Sequence, residues 1–427
     1  MPRPLSRRTR IREGKKQEGR KQEGKEGAAS DAPTIRPPEV RAIGGWVSVG
    51  CVRFGGAWDI IVLIHRRGQG NGNGESGKAM ISTMNSKMID LSSDTATKPS
   101  EGMRRAMAAA PVGDEQKRED PATNELQERV ADLLGKEAAL FLPSATMGNL
   151  IALKTHLRPG DEFIATHNSH IVVWEGGGYA AVAGASVNAL TTERGVFSGA
   201  QVAAAIRPDD PHYARTRLVC VENTHNAGGG TVWTREEVEE VAGAARENGL
   251  LLHLDGARLM NAVAASGRPA REVVAPFDSV TLFLSKGLGC PVGAVLAGSR
   301  AFIEAAWRPK HLLGGAMRQS GILAAAGLYA LEHNLGRLHE DHANAHRLAE
   351  GLAGIGRVKI NTARVQSNLV FFSVDGLTGA EARAQMEARG VRLSGSYGTL
   401  RAVTHLDVSG EDIERAVEGA REVWGGV

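Results

Sequence analysis

The chain is short of cysteine, of aromatic residues and of long apolar runs, and each shortage removes a class of protein. Its three cysteines, Cys51, Cys220 and Cys290, are odd in number and widely spaced over 427 residues. No disulfide framework can be built from them, so a reducing compartment, the cytoplasm, is expected. Aromatics make up 4% of the chain, so the core must rest on Ala, Val, Leu and Ile. No apolar run approaches the roughly 18–20 residues of a membrane span; the stretch 57–64 is short and contains Asp59. An excess of charge of one sign is also missing from the main body. Residues 1–87 hold 17 Lys and Arg against 8 Asp and Glu, whereas residues 88–427 hold 34 against 40. An acidic body lacks the clustered Lys and Arg that grip phosphate backbones, which argues against non-specific nucleic-acid binding by it.

The length suits two domains behind an unusual start. KKQEGRKQEGKEG is a charged repeat that cannot bury apolar surface, residues 33–38 are proline-rich, and GQGNGNG at 68–74 has linker chemistry. A glycine-rich nucleotide loop is the sharper reading of GQGNGNG, but no helix signal follows it and its spacing is wrong. The Arg-rich start could belong to a mitochondrial presequence, although eight acidic residues argue against one. Met84 and Met88 stand just before ordered-looking sequence, so an upstream start codon could also account for the segment. Residues 1–87 are therefore expected to be a disordered extension.

From Met88 the pattern changes. Short β-rich runs at 138–142, 162–166, 218–222, 250–255, 280–284 and 294–297 alternate with helical stretches such as 124–134 and 235–247. That alternation predicts an α/β fold with a mostly parallel sheet covered on both faces. A long helical region, 320–355, then leads to smaller β and α units. The expected boundaries are a large domain over 88–333 and a small α/β domain over 334–427.

Three local features carry chemistry. LFLPSATMGN, 140–149, is a strand, a small polar turn and a helix start, where free amides and the hydroxyls of Ser144 and Thr146 can hold a phosphate. LHLDGAR, 252–258, puts Asp255 at the carboxyl end of a buried strand, where ligands of open α/β sheets sit. A carboxylate there can pair with a protonated ring nitrogen. LFLSKG, 282–287, places Lys286 directly after an apolar strand; burial lowers the pKa of an amine and makes it nucleophilic. Each feature alone reads equally well as a helix cap, a capping Asp or a snorkelling lysine. Together, in this order and with Asp255 and Lys286 one strand-helix unit apart, they supply a phosphate cradle, a ring-nitrogen partner and an imine-forming lysine.

The stretch MIDLSSDTATKPSEGMRRAMAAAPVGDE resembles the start of the low-specificity L-threonine aldolases. GKEAALFLPSATMGN, SHIVVWEGGG, VENTHN, LHLDGARLMNA, LSKGLGCPVGAVLAG, GGAMRQSGILAAAG and LRAVTHLDVS resemble later segments of the same family, in the same order. The resemblance implies fold type I pyridoxal phosphate (PLP) architecture, as in aspartate aminotransferase, and a homotetramer with shared active sites. It also implies cleavage of β-hydroxy amino acids such as threonine or allo-threonine to glycine and an aldehyde. By the same resemblance, Lys286 would bear the cofactor and Asp255 would meet its ring nitrogen. Ala145, Thr146 and Ser285 would bind its phosphate, and His170 would stack on its ring. Ser93, Arg258 and Arg401 would hold the substrate carboxylate, His225 would approach the substrate hydroxyl, and Arg308 and Lys310 would reach a phosphate across a subunit boundary.

The chain departs from the family pattern in places. Ser92 stands where Arg is usual, Ala145 and Ala316 where Gly is usual, and Lys117 and Arg118 where Tyr and Gly are usual. Alanine would be strained at 145 if that position needs positive φ. β-Elimination or racemisation on the same cofactor, and a non-catalytic scaffold, are the rival readings. His339, His342 and His346 share a helix face and could ligate a metal, but no HExxH arrangement is present and a solvated helix accounts for them better; no metal is expected.

Overall fold

Runs of Val, Leu, Ile and Phe too apolar to face water on either side dictate a sheet sandwiched between helices. The computed structural model describes residues 46–54, 57–65, 88–396 and 399–426. Seven strands form the central sheet: β1 (Ala138–Leu142), β2 (Asp161–Thr166), β3 (Ser186–Leu190), β4 (Arg215–Glu222), β5 (Leu251–Gly256), β6 (Ser279–Phe283) and β7 (Ala294–Gly298). Their order is β1-β7-β6-β5-β4-β2-β3. All neighbours run parallel except β7, which is antiparallel to both β1 and β6. Residues of β1, β5, β6 and β7 are almost wholly buried, as strands covered on both faces must be. β3 escapes the sequence reading because it is a half-exposed edge strand with a weak apolar signal.

The helices α1 (Pro121–Leu134), α2 (Ala145–His156) and α3 (Arg235–Glu247) begin with side-chain caps from Asp120, Ser144 and Thr234, which satisfy amides that have no partner in the first turn. α2 follows β1 and crosses the sheet closely. A Cβ on its Gly148 would stand 2.6 Å from the Thr281 methyl of β6, so only glycine fits there.

The long helical region resolves into α4 (Gly321–His333), a 3₁₀ turn (Leu335–Arg337) and α5 (Leu338–Ala353). The break sits at Asn334, whose side chain donates to the Leu288 carbonyl at 2.8 Å. That bond ties the break to the loop just beyond Lys286. An antiparallel sheet of β8 (Val358–Ile360), β9 (Leu369–Val374), β10 (Ser394–Ser396) and β11 (Thr399–Val403) follows, in the order β8-β9-β11-β10. It shares a core with α5 and a C-terminal helix, α6 (Gly410–Trp424), anchored by the buried Trp424. Ile89 and Leu91 belong to this second core, and Ile89–Asp90 pairs parallel with Val391–Arg392. The start of the body thus packs with the C-terminal elements rather than with the large sheet.

By its internal contacts the chain divides into Met1–Thr83 and Met84–Val427. Within the first unit Trp46–Phe54 pairs antiparallel with Ala57–His65, so part of the expected disordered extension is a hairpin. The charged repeat, the proline run and GQGNGNG lie outside the described residues. No helix among the described residues is long and apolar enough to cross a membrane.

Candidate active site

The carboxyl ends of β4, β5 and β6 converge on one cleft, the position at which open α/β sheets bind ligands. It encloses about 840 Å³, and Lys286, Arg258, Arg401, Ser93 and His170 are among its lining residues. Asp255, Ala145, Thr146, Ser285 and His225 lie outside that wall.

Lys286 sits in the turn after β6. Its carbonyl accepts from Thr97 Oγ1 at 3.1 Å and from the Gly289 amide at 2.9 Å, which fixes the backbone. Its ammonium lies 4.6 Å from the centre of the Phe283 ring. Burial, and then the neighbouring Arg258 charge, push the lysine down to about 8, against a smaller upward pull from Asp94 and Asp255. About a tenth of it is free amine at pH 7.

Asp255 ends β5, in register with Glu222 of β4 on one side and Thr281 of β6 on the other. Oδ1 accepts from the Ala257 amide at 3.0 Å and Oδ2 from Asn149 Nδ2 at 2.8 Å. Burial, then the charges of Glu222 and Glu175, push its carboxyl up to about 7. Among the described residues no Lys or Arg hydrogen-bonds to it. Asp255 thus lies close to two further carboxyl groups without a bonded lysine or arginine of its own.

His170 opens a short helix, His170–Val173. Its amide donates to Glu222 Oε2 at 2.7 Å and its Nδ1 meets Glu175 Oε1 at 2.9 Å. Burial works against protonation, but the Glu175 hydrogen bond and the Asp255 charge outweigh it and raise the imidazole above its ordinary value.

The two arginines are more committed than the sequence implies. Arg258 Nε and Nη2 grip Asp94 at 2.6 and 2.7 Å, leaving Nη1, which lies 3.4 Å from Asn226 Oδ1. Burial alone would raise the Asp94 carboxyl, but the Arg258 charge and hydrogen bonds hold it at about 2. Arg401 donates to Asn226 Oδ1 at 2.9 Å, to Ser394 Oγ at 3.1 Å and to the Ser92 carbonyl at 3.0 Å. The amide oxygen of Asn226 thus stands between two guanidinium groups, where an anionic oxygen is favoured.

At the start of α2, Ser144 Oγ accepts from the Met147 amide at 3.3 Å. The cap leaves the Ala145 and Thr146 amides, which come first in the helix, without a partner within it. Ala145 is unstrained. The positive-φ residue without a glycine side chain, among those described, is Arg118, at φ 61°. It is held by Glu304 through two bonds of 2.8 and 2.6 Å and lies 5.0 Å over the Trp307 ring.

Two assignments need correction. His225 does not reach the cleft: it is fully buried, its Nδ1 accepts from the Gly228 amide at 3.0 Å and its Nε2 meets Thr166 Oγ1 at 2.9 Å. A Cβ on Gly195 would fall 2.1 Å from its ring, so the chain closes over it. Lys310 is equally inward, pairing with Glu115 and donating to the Phe141 carbonyl at 2.8 Å; its ammonium is committed within its own chain. The exposed His339 bonds locally to the Gly336 carbonyl, and the half-buried His342 meets Asn261. The sequence reading missed Asp94, Asn149, His167, Glu175, Glu222 and Asn226. All but His167 lie in the quoted motifs, yet short polar residues in a motif carry no sign of which one turns inward.

The parts fit PLP. The lysine is a depressed amine, the buried carboxyl wants a cation, a helix start offers free amides, and paired arginines face the same cleft. Solved structures share this architecture. Leishmania major threonine aldolase superposes with TM-score 0.68 at 22% identity, covering 78% of this chain and 99% of its own. A structure of SPT with PLP gives 0.60 at 17%, covering 79% and 88%. The fold is therefore that of the fold type I PLP-dependent enzymes. At the sequence level, residues 90–375 match the β-eliminating lyase family. The low specificity L-threonine aldolase of Escherichia coli K12 is 46% identical over 327 residues, 76% of this chain and 96% of that protein. The chain belongs to the low-specificity L-threonine aldolase family.

Proposed function

We propose that this enzyme cleaves L-threonine, L-allo-threonine and related β-hydroxy amino acids to glycine and an aldehyde with PLP as cofactor. The observation that carries the reading is the placement of Lys286 and Asp255 at the carboxyl ends of adjacent strands, beside a cleft that also holds Arg258 and Arg401. When bound, PLP supplies an electron sink for the pair released when Cα–Cβ breaks. Lys286 would hold the cofactor covalently. Asp255 would hold a proton on the ring nitrogen. The Ala145 and Thr146 amides and the Ser285 hydroxyl would bind its phosphate.

Substrate recognition falls to the arginines. Arg401, the remaining edge of Arg258 and the Ser93 hydroxyl would take the carboxylate, displacing the Asn226 amide oxygen from between the two guanidinium groups. Asp94 keeps Arg258 oriented. His170 would cover the ring and is the pocket histidine offered to exchange a proton with the β-hydroxyl; its Glu175 partner fixes the tautomer. His167, also in the cavity wall, is the second. His225 keeps the Asn226 loop in place. A cytoplasmic homotetramer is part of the reading, supported by the free buried thiols Cys220 and Cys290 and the exposed apolar Leu312, Ile322 and Val112.

Product analysis tests this. Wild type with either threonine diastereomer should yield equimolar glycine and acetaldehyde, and Lys286→Ala should yield neither. Ammonia and 2-oxobutanoate would indicate elimination instead, and full turnover by the alanine variant would reject the role of Lys286.

A further inference from the structure

Asp255 is approached from behind by a line of polar side chains that crosses the inside of the sheet. His253 and Asp255 are two residues apart on β5 and so share a face; α2 packs on that face and brings Asn149. Asn149 Nδ2 donates to Asp255 Oδ2 at 2.8 Å and to Glu175 Oε1 at 2.9 Å. Asn149 Oδ1 lies 3.2 Å from His253 Nε2. His253 Nδ1 lies 2.8 Å from Ser279 Oγ, and Ser279 Oγ lies 2.7 Å from His156 Nε2. Asn149, His253 and Ser279 are buried. His156, at the outer end, stacks on Phe302 with ring centres 4.4 Å apart.

The direction of every proton in this line follows from its inner end. With Asp255 ionised, as pairing with a protonated ring nitrogen requires, its carboxylate only accepts, so the Asn149 amide nitrogen faces Asp255 and Glu175 and its oxygen faces His253. His253 must then carry its proton on Nε2, and its Nδ1 must accept from Ser279. The hydroxyl proton of Ser279 is thereby used, so its oxygen accepts from His156 Nε2–H. Each link points a donor toward Asp255, and aligned bonds of this kind polarise one another. Both imidazoles are neutral at physiological pH: burial and the neighbouring His156 bring His253 to about 3, and burial brings His156 to about 4. The charged groups around the inner end act on balance against ionisation, since Glu222 and Glu175 disfavour a charge on Asp255 more than His170 and Lys286 favour it, which leaves the hydrogen-bond donors to hold the carboxylate.

We infer that the chain His156–Ser279–His253–Asn149 holds Asp255 ionised and aligned for the ring nitrogen of the cofactor, with Asn149 and His253 as positioning residues. The inference rests on the PLP reading above. It gives a purpose to a buried histidine two residues before the aspartate, and to an asparagine in a helix interior, where that residue is a poor helix former.

The test is a spectroscopic titration of the holoenzyme, following the visible absorbance of the lysine-bound cofactor from pH 5 to pH 10. Without its donors Asp255 holds the ring proton less well. An unprotonated ring withdraws fewer electrons, and the nitrogen linking lysine to cofactor then keeps its own proton to higher pH. Asn149→Leu and His253→Leu should raise the midpoint by about one pH unit, the tenfold change expected for one charge-assisted hydrogen bond. Ser279→Ala and His156→Phe should raise it less. His253→Gln, which can offer an N–H where Nε2 stands, should restore the wild-type midpoint. Should the two leucine variants fail to fold, Ser279→Ala and His156→Phe decide the question. Wild-type midpoints in folded, cofactor-loaded variants would overturn the inference and leave the cofactor reading intact. No visible band in wild type, or one that persists in Lys286→Ala, would remove the cofactor reading and this inference with it.

Discussion

Replacing Asp94 by Asn keeps the shape of the site and removes one charge. The side chains of Asp94 and Arg258 are 0% and 3% exposed, so the variant strands a buried guanidinium without its counter-charge. Breaking such a pair costs about 3–5 kcal/mol. The carboxyl itself gives a second figure: it lies at about 2 against an ordinary 3.8, nearly two pH units, or about 2.5 kcal/mol. The body spans residues 84–427, and at about 2.1 cal/mol/K per residue its unfolding entropy is about 0.7 kcal/mol/K, so Tm should fall by about 4–7 °C. Because the folded carboxyl is depressed, its contribution is complete above the unfolded value and fades only as pH falls through about 2. The gap between wild type and Asp94→Asn should therefore be constant from pH 5 to pH 8. Thermal unfolding followed by circular dichroism measures it. The double variant Asp94→Leu/Arg258→Leu, which buries no charge, should lie closer to wild type than Asp94→Asn does. A gap below about 1 °C at pH 7 would refute the reasoning, since a pair this buried cannot be neutral when half of it is removed.

Three further outcomes follow from the same geometry. Arg118→Ala keeps the left-handed backbone but loses Glu304 and Trp307, and should cost about 1 kcal/mol; Arg118→Gly loses the same contacts yet relieves about 1 kcal/mol of strain, so urea unfolding should find it near wild type. His225→Ala should cost about 2–4 kcal/mol, because it leaves a cavity and unpairs Thr166 and the Gly228 amide; an unchanged urea midpoint would contradict the buried placement. The amine of Lys286 loses its proton near pH 8, so the rate at which apoenzyme captures PLP, followed by absorbance on mixing, should rise through about 8 and level off, and an inflection near 10.5 would contradict the depressed lysine.

Much of the fold was legible because apolar runs and small polar turns are local signals. The strands that carry Asp255 and Lys286 were read within a residue or two of their observed limits, and Asp255, Lys286 and the capped start of α2 followed from their position at strand ends. The edge strand 186–190 was not legible, since half its residues face water. Nor was the break at Asn334, which depends on a bond to Leu288 far away in sequence. The site's supporting residues were hidden for the same reason. Nothing local distinguishes Asn149 from any other helix asparagine, and only the packing of α2 on β5 turns it toward Asp255. His225 shows the opposite failure: a histidine in a motif suggests chemistry, but here one ring nitrogen is held by the Gly228 amide of its own loop and the other by Thr166 at the end of β2. Arg258 lies between these cases, present in the cleft yet mostly bound to Asp94, whose role depends on a contact 164 positions apart.

The central claim is that Lys286 carries the cofactor. Borohydride reduction of the holoenzyme followed by peptide mass mapping tests it most directly. A single phosphopyridoxyl adduct is expected on the peptide containing Lys286, and it should be lost in Lys286→Ala. An adduct on another lysine, or none on a protein that still releases glycine and acetaldehyde from threonine, would contradict it.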